Sequence, residues 1–148
     1  ATPEVLASGW TADPADLLPL INPALRPADT RPVRRIEAVT DQVLAYHEGE
    51  LDAVDDVPVH QRGGEFLAQA WQLLRALPPG APVTYTELAA KAGRPGAVRA
   101  AGSACSRNAA ALFVPCHRVV PAGGGVGGFR WGPDIKRWLL QHEAVAVD

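Results

Sequence analysis

The clearest apolar periodicity lies in the middle of the chain. In "EFLAQAWQLLRALPPG", Phe66, Leu67, Ala70, Trp71, Leu74 and Leu77 fall on one helical stripe, and Pro-Pro-Gly closes it. "TYTELAAKAG" then opens with a capping box, Thr84 to Glu87, and closes with Gly93. A turn of a few residues leads into "RPGAVRAAGSACSRN", whose small side chains suit close helix packing. Asn108 is placed to end that helix in the left-handed conformation. Two short helices joined by a tight Gly/Pro turn, with a third before them, predict a helix-turn-helix that presents Arg99 and Arg107.

The flanks read less regularly. Prolines at 3, 14, 19, 23 and 27 interrupt the first thirty residues, with room for a short helix in "PADLLPLI". "RPVRRIEAVTDQVLAYHEG" predicts a longer helix. Asp29 or Thr30 would cap it, Pro32 suits its first turn, and Ile36, Val39, Val43 and Tyr46 share a face. "ELDAVDDVPVHQRGG" is acidic, ends in glycines and reads as a linker. "ALFVPCHRVV" predicts a strand or buried extended segment, and "PAGGGVGGF" a mobile hairpin or wing. "PDIKRWLLQHE" predicts a final helix with Pro133 in its first turn and Ile135, Trp138, Leu139 and His142 on one face. The expected architecture is α+β. A small N-terminal α/β domain with its linker (1–58) precedes a helical, winged-helix-like domain (59–148) that carries the cysteine segment.

Composition narrows the function classes. The chain has 148 residues, 47% of them hydrophobic and 20% charged, which fits a folded protein. No apolar stretch nears the roughly 20 residues of a membrane span, and the first residues lack a signal-peptide pattern. The chain starts at Ala1 and contains no methionine, which leaves processing and trimming open. Its two cysteines are too few for a disulfide scaffold and fit a reducing cytosol. Neither C-x-x-C nor H-E-x-x-H occurs, so no metal is expected. Residues 1–80 carry 6 Lys+Arg against 12 Asp+Glu, and residues 81–148 carry 8 against 4. A basic second half behind an acidic first half points to a polyanionic partner for the second.

The candidate chemistry is at Cys116. Cys105, among alanines and serines, reads as a small buried hydrophobe. Cys116 follows Pro115, which interrupts regular pairing, and precedes His117 and Arg118. Their positive potential is expected to lower the thiol pKa. In an extended chain adjacent side chains point to opposite faces, so His117 would reach the thiol through a water. It would need an orienting group, and Glu143 is the candidate. A carboxylate at the C-terminal end of a helix is disfavoured by the dipole and seeks a positive or hydrogen-bonding partner.

"PCHRVV", preceded by "AVRAAGSACSRN" and followed by "GGFRWGPDIKRWLLQHE", closely resembles the O6-alkylguanine-DNA alkyltransferases. The match runs from about Phe66 to Glu143, and "FRWG" is more like the bacterial than the human members. The resemblance implies binding to double-stranded DNA containing O6-alkylguanine through the helix-turn-helix, from the minor groove. The damaged nucleotide would be rotated out of the stack. Arg99 would fill the gap, Tyr85 would assist the rotation and bond the guanine, and Thr84 and Arg107 would contact DNA. Cys116 would attack the alkyl carbon in line. His117 would take the thiol proton through water, Glu143 would hold His117, and Asn108 would tie the recognition helix to the cysteine segment. Backbone groups at Cys116 and Val119 would read the guanine edge, and Arg118 would shape the site. Each molecule would act once, as a cytoplasmic monomer without cofactor.

Departures from the human type bear on the pocket. Phe129 stands for a tyrosine of some members, Arg130 for serine, Trp131 for glycine and Ala111 for proline. Trp131 should narrow the entrance, so bulky O6-benzylguanine is expected to react poorly. The N-terminal part is expected to be short of the family's opening strands, and no cysteine in the first hundred residues could serve as a human-type zinc ligand, so no zinc is expected. Three other readings compete. A lesion sensor resembling this family would lack the reactive cysteine. A winged-helix regulator would be expected to dimerise on a palindromic site. A thiol hydrolase would turn over repeatedly.

Overall fold

The structure is a computed structural model and describes residues 3–147. Five helices and one two-stranded parallel sheet are found among them: α1 (Thr40–His47), α2 (Glu65–Ala76), β1 (Val83–Thr84), α3 (Tyr85–Lys91), α4 (Val98–Ser106), β2 (Val119–Val120) and α5 (Pro133–His142). The described residues contain no helix long and apolar enough to cross a membrane.

The helix-turn-helix forms as its sequence predicts. α2 buries Ala70, Trp71 and Leu74 and ends where Leu77, held extended by the following proline, leaves the helix. Both bonds of the capping box that opens α3 are present, at 3.0 Å each. Gly93, at φ +76°, turns the chain behind α3. Ala101 and Ala104 are fully buried, letting α4 lie close against α3 and α2. The Trp71 indole N–H ties the layers by donating to the Ala104 carbonyl at 3.0 Å.

Other expectations change. The first long helix is shorter than its pattern: α1 starts at Thr40, not near Pro32. Ala38 has φ +64°, a left-handed turn that a helix cannot pass through. The Thr40 hydroxyl accepts from the Ile36 amide at 2.9 Å, and Ile36 lies exposed. Val39, Val43 and Tyr46 do face a core. The acidic segment read as a linker is folded against the body. Val54 and Val57 are buried beside Tyr46, Leu112, Phe113 and Leu139, and Arg75 donates to the Asp55 carbonyl. The N-terminal residues form two short 3₁₀ turns and are short of strands, contributing only the isolated bridges Val5–Val59 and Ser8–Ala110 among the described residues.

The cysteine segment is mostly turn, not strand. Leu112 takes φ +77°, Cys116–Arg118 form a single 3₁₀ turn, and only Val119 and Val120 pair, with Val83 and Thr84. Leu112 and Phe113 point into the core shared with α1 and α5, whereas Val114, Cys116 and Val119 enter the core of the helix-turn-helix. The nucleophile candidate thus sits on a rigid turn wedged between two apolar clusters. The glycine-rich stretch forms turns and no hairpin; Val126 is buried within it, and Gly127 at φ +76° lies on the Pro121 ring.

The last helix is rotated from its expected face. Lys136, Leu139, Leu140 and Glu143 are buried, while Trp138 is exposed and stacks on His142 and His47. The stripe at i, i+3, i+4 and i+7 contains a lysine and a glutamate, which apolar periodicity alone passes over.

Candidate active site

A cavity of about 350 Å³ opens beside Cys116, lined among others by Tyr85, Asn108, Phe129, Arg130 and Trp131. Six sequence-predicted residues, Cys116 included, therefore meet in one place. His117 and Glu143 stand behind the cavity wall, completely buried. Val119 is buried there too; its carbonyl accepts from Lys136 Nζ at 2.8 Å, and its N–H donates to the Cys116 carbonyl. Arg99 and Arg107 are exposed on α4 and its C-terminus, outside the cavity. Thr84 Oγ1 accepts the Glu87 N–H as the cap of α3, leaving its hydroxyl proton free to donate.

Glu143 organises the buried side. Its Oε2 accepts from Tyr46 Oη at 2.6 Å, His117 Nε2 at 2.8 Å and Arg118 Nη2 at 3.1 Å, and its Oε1 accepts from Arg118 Nε at 2.9 Å. Arg118 Nη1 donates to the Leu77 carbonyl at 2.7 Å. Burial by itself would raise the Glu143 pKa, but these donors and the charges behind them pull it down to about 2. The carboxylate is ionised and can only accept, so the proton of His117 is on Nε2. Burial lowers the His117 pKa despite the pull of Glu143, so the ring is neutral near pH 7. Nδ1 then carries a free lone pair. Among the described residues it is the buried side-chain nitrogen or oxygen without a hydrogen-bond partner.

The Cys116 thiol differs from its expected state. Burial raises its pKa, and the opposing hydrogen bond from Asn108 and charges of Lys136 and Arg130 do not cancel that. Arg118 does not serve the sulfur, because its guanidinium is committed to Glu143. The candidate nucleophile rests as a thiol and would need a base. Cys105 also touches the cavity, with burial and the neighbouring Cys116 charge pushing its pKa up to about 12, in keeping with an inert thiol. Tyr85 is likewise pushed up to about 12, by burial and then by the two cysteines, so its hydroxyl keeps its proton.

Asn108 does not take a left-handed conformation; the described non-glycine residues with positive φ are Ala38, Leu112 and Ala144. It is buried and works as a clamp. Nδ2 donates to the Val114 carbonyl at 2.7 Å, and Oδ1 accepts from the Ala110 amide at 3.0 Å and from Gln61 Nε2 at 2.9 Å. The end of α4 is thereby fastened to the cysteine turn.

Three contributors escaped the sequence reading. Tyr46 reaches Glu143 from α1, 97 positions away, and nothing local marks it. Gln61, in the supposed linker, braces Asn108 and the Ala109 amide. Lys136 is buried with Nζ on the carbonyls of Val119 and Gly128, at 2.8 and 3.2 Å, over the Tyr85 ring. Its spacing from Leu139, Leu140 and Glu143 was the available signal.

Two predictions arise here. Tyr46→Phe removes one donor from a buried carboxylate and is expected to cost about 1.5–3 kcal/mol, measured by urea unfolding at pH 7. Stability should also fall on the acid side in two stages. An unfolded His117 regains the ordinary value near 6.5, so below that pH the unfolded chain binds the proton more readily. Glu143 adds its loss from its ordinary 4.5 down to about 2. Both act in one direction, and unfolding midpoints should be level from pH 8 to about 6.5 and fall from there to pH 3; a flat profile would contradict the buried pair.

Fold and site together define a helix-turn-helix protein that holds a buried cysteine–histidine–glutamate constellation beside a base-sized cavity. Comparison with known proteins narrows the class. Residues 65–145 match the family described as 6-O-methylguanine DNA methyltransferase, DNA binding domain, and the chain belongs to that family. It is 41% identical over 109 residues to the methylated-DNA–protein-cysteine methyltransferase of Salmonella typhimurium, covering 74% of this chain and 64% of that protein. The enzyme of the same name from Mycolicibacterium paratuberculosis is 35% identical over 142 residues, covering 96% of this chain and 74% of its own length. Among solved structures, Mycobacterium tuberculosis OGT in complex with DNA superposes with a TM-score of 0.66 at 40% identity, covering 72% of this chain and 65% of that one. The chain thus spans somewhat under two thirds of the length of the Salmonella relative.

Proposed function

We propose that this protein repairs DNA by transferring an alkyl group, typically methyl, from O6-alkylguanine in a duplex to Cys116. The observation that carries the reading is the buried Cys116–His117–Glu143 constellation behind a cavity at the helix-turn-helix. Residues 59–148 form the DNA-binding alkyltransferase unit and residues 1–58 its companion. Arg99, Arg107 and Thr84 face the duplex. Tyr85, Phe129, Arg130 and Trp131 receive the base rotated out of the stack, because its alkyl carbon is out of reach inside the helix. Backbone carbonyls of Cys116 and Val119 keep a lone pair each for the guanine edge.

In the reaction the Cys116 sulfur attacks the alkyl carbon while the carbon–O6 bond breaks. The thiol proton passes through a water to His117 Nδ1, and the resulting imidazolium is stabilised by Glu143. The departing guanine takes up a proton, so the sum is thiol plus alkylguanine to thioether plus guanine. The S-alkyl bond has no hydrolytic exit at neutral pH, and each molecule reacts once. We take the protein to act as a monomer. The two free thiols suit the reducing cytoplasm.

Incubation with a duplex containing one O6-methylguanine is expected to add one CH₂ to the intact protein mass, mapped to Cys116 and absent in Cys116→Ala. Unchanged mass with tight lesion-specific binding would make the protein a sensor. Unchanged mass without such binding would remove the repair reading.

A further inference from the structure

An extended stretch near the N-terminus is fastened beside Phe129 and Trp131, two residues that line the cavity. Val5 N–H donates to the Pro58 carbonyl at 2.8 Å, the Val5 carbonyl accepts from His60 N at 2.9 Å, and Ser8 N–H donates to the Ala109 carbonyl at 2.8 Å. Two residues on, the Trp10 ring packs against Phe129 with centroids 5.8 Å apart. Gly9 lies between these anchors, and the Trp131 indole rests directly on it. A Cβ on Gly9 would overlap Cζ2, Cε2 and Cη2 of that indole. Ordinary carbon contacts lie near 3.5–4.0 Å, so the ring would have to retreat by roughly 1.5 Å. The strap is held on one side by backbone hydrogen bonds and on the other by Trp10. Trp131 lines the cavity and is itself only partly buried, so one direction in which it can give way is into the cavity.

We propose that Gly9 is a specificity-determining residue: its missing side chain seats Trp131 away from the cavity and thereby sets the length of alkyl group the site accepts. The inference rests on the alkyl-transfer reading and adds a part of the chain outside the helix-turn-helix to the substrate pocket. A side chain at position 9 pushes the indole inward and closes the space beyond a methyl group. Loss of the indole opens that space whatever stands at position 9. One methylene of misfit in an apolar pocket changes discrimination by roughly 10- to 200-fold.

The test compares single-turnover rates on duplexes carrying O6-methylguanine or O6-butylguanine, read by intact mass. The proteins are the wild type, Gly9→Ala, Trp131→Ala and the double variant. Gly9→Ala is expected to lower the butyl-to-methyl rate ratio about tenfold, and Trp131→Ala to raise it by a similar factor. On the Trp131→Ala background Gly9→Ala should leave the ratio unmoved, because the residue acts through the indole. An unchanged ratio in Gly9→Ala overturns the proposal, as does an equal Gly9 effect with and without Trp131. Should Gly9→Ala not fold, an unchanged ratio in Trp131→Ala alone overturns it. A wild type that transfers neither group rejects the alkyl-transfer reading instead, an outcome visible before any variant is compared.

Discussion

Replacing Arg118 with methionine is expected to remove about 3–5 kcal/mol of stability at pH 7, enough to unfold much of a marginal domain. The magnitude comes from what is left behind. Arg118 gives Glu143 two hydrogen bonds and its compensating charge, and both side chains are shut away from water. Without the guanidinium the carboxylate remains buried with only two neutral donors, Tyr46 and His117. Its pKa should then rise, and the deficit should shrink as the pH is lowered and the carboxyl protonates. Arg118→Met with Glu143→Gln should recover part of the loss, because the uncompensated charge is gone. Urea unfolding of both variants at pH 7 and pH 5 measures all three effects. A single-variant loss below about 1 kcal/mol would mean that water reaches the pair and the burial argument fails.

Glu143→Gln is expected to slow the proposed alkyl transfer by roughly 10²- to 10⁴-fold, and to lower stability as well, because the Arg118 guanidinium stays buried without its countercharge. The amide oxygen can replace Oε2 before His117, Tyr46 and Arg118 Nη2, which keeps the imidazole in place. Its NH₂ then faces Arg118 Nε, and the negative charge that stabilises the imidazolium is lost. The pH profile separates this from simple destabilisation. Glu143 raises the proton affinity of His117 against the effect of burial. Its removal should therefore move the acid limb of the transfer rate to lower pH while lowering the plateau. A variant that was merely less stable would lose activity at higher pH than the wild type. Single-turnover rates from pH 5 to 9 decide between them.

The same contacts explain why parts of this protein were readable in one dimension and parts were not. Helices α2, α3 and α4 follow from local signals: a stripe, a capping box, a turn glycine and small packing residues act within a few positions of one another. Cys116, His117 and Glu143 were legible because a nucleophile, a base and a misplaced carboxylate are unusual in their own settings. The state of the thiol was not. Adjacent positive residues suggested a lowered pKa, yet burial raises it, since Arg118 turns to Glu143.

By itself the sequence determined which residues can do chemistry and which short segments must be helical, because both depend on residue type and near neighbours. Tertiary structure alone decided which partners these groups would meet. The left-handed turn at Ala38 delayed the start of the first helix to Thr40, and Tyr46 was delivered to a carboxylate near the other end of the chain. α5 was rotated to bury Lys136 and Glu143, since carbonyls of Val119 and Gly128 and the guanidinium of Arg118 were there to satisfy them. Gly9 lies in the proline-interrupted first thirty residues, where no local signal marks it. It became the seat of Trp131 only once the strap from Val5 to Trp10 was fastened against Pro58, His60 and Ala109. Burial of charge and contact across long separations depend on which surfaces meet, and no window along the chain contains both.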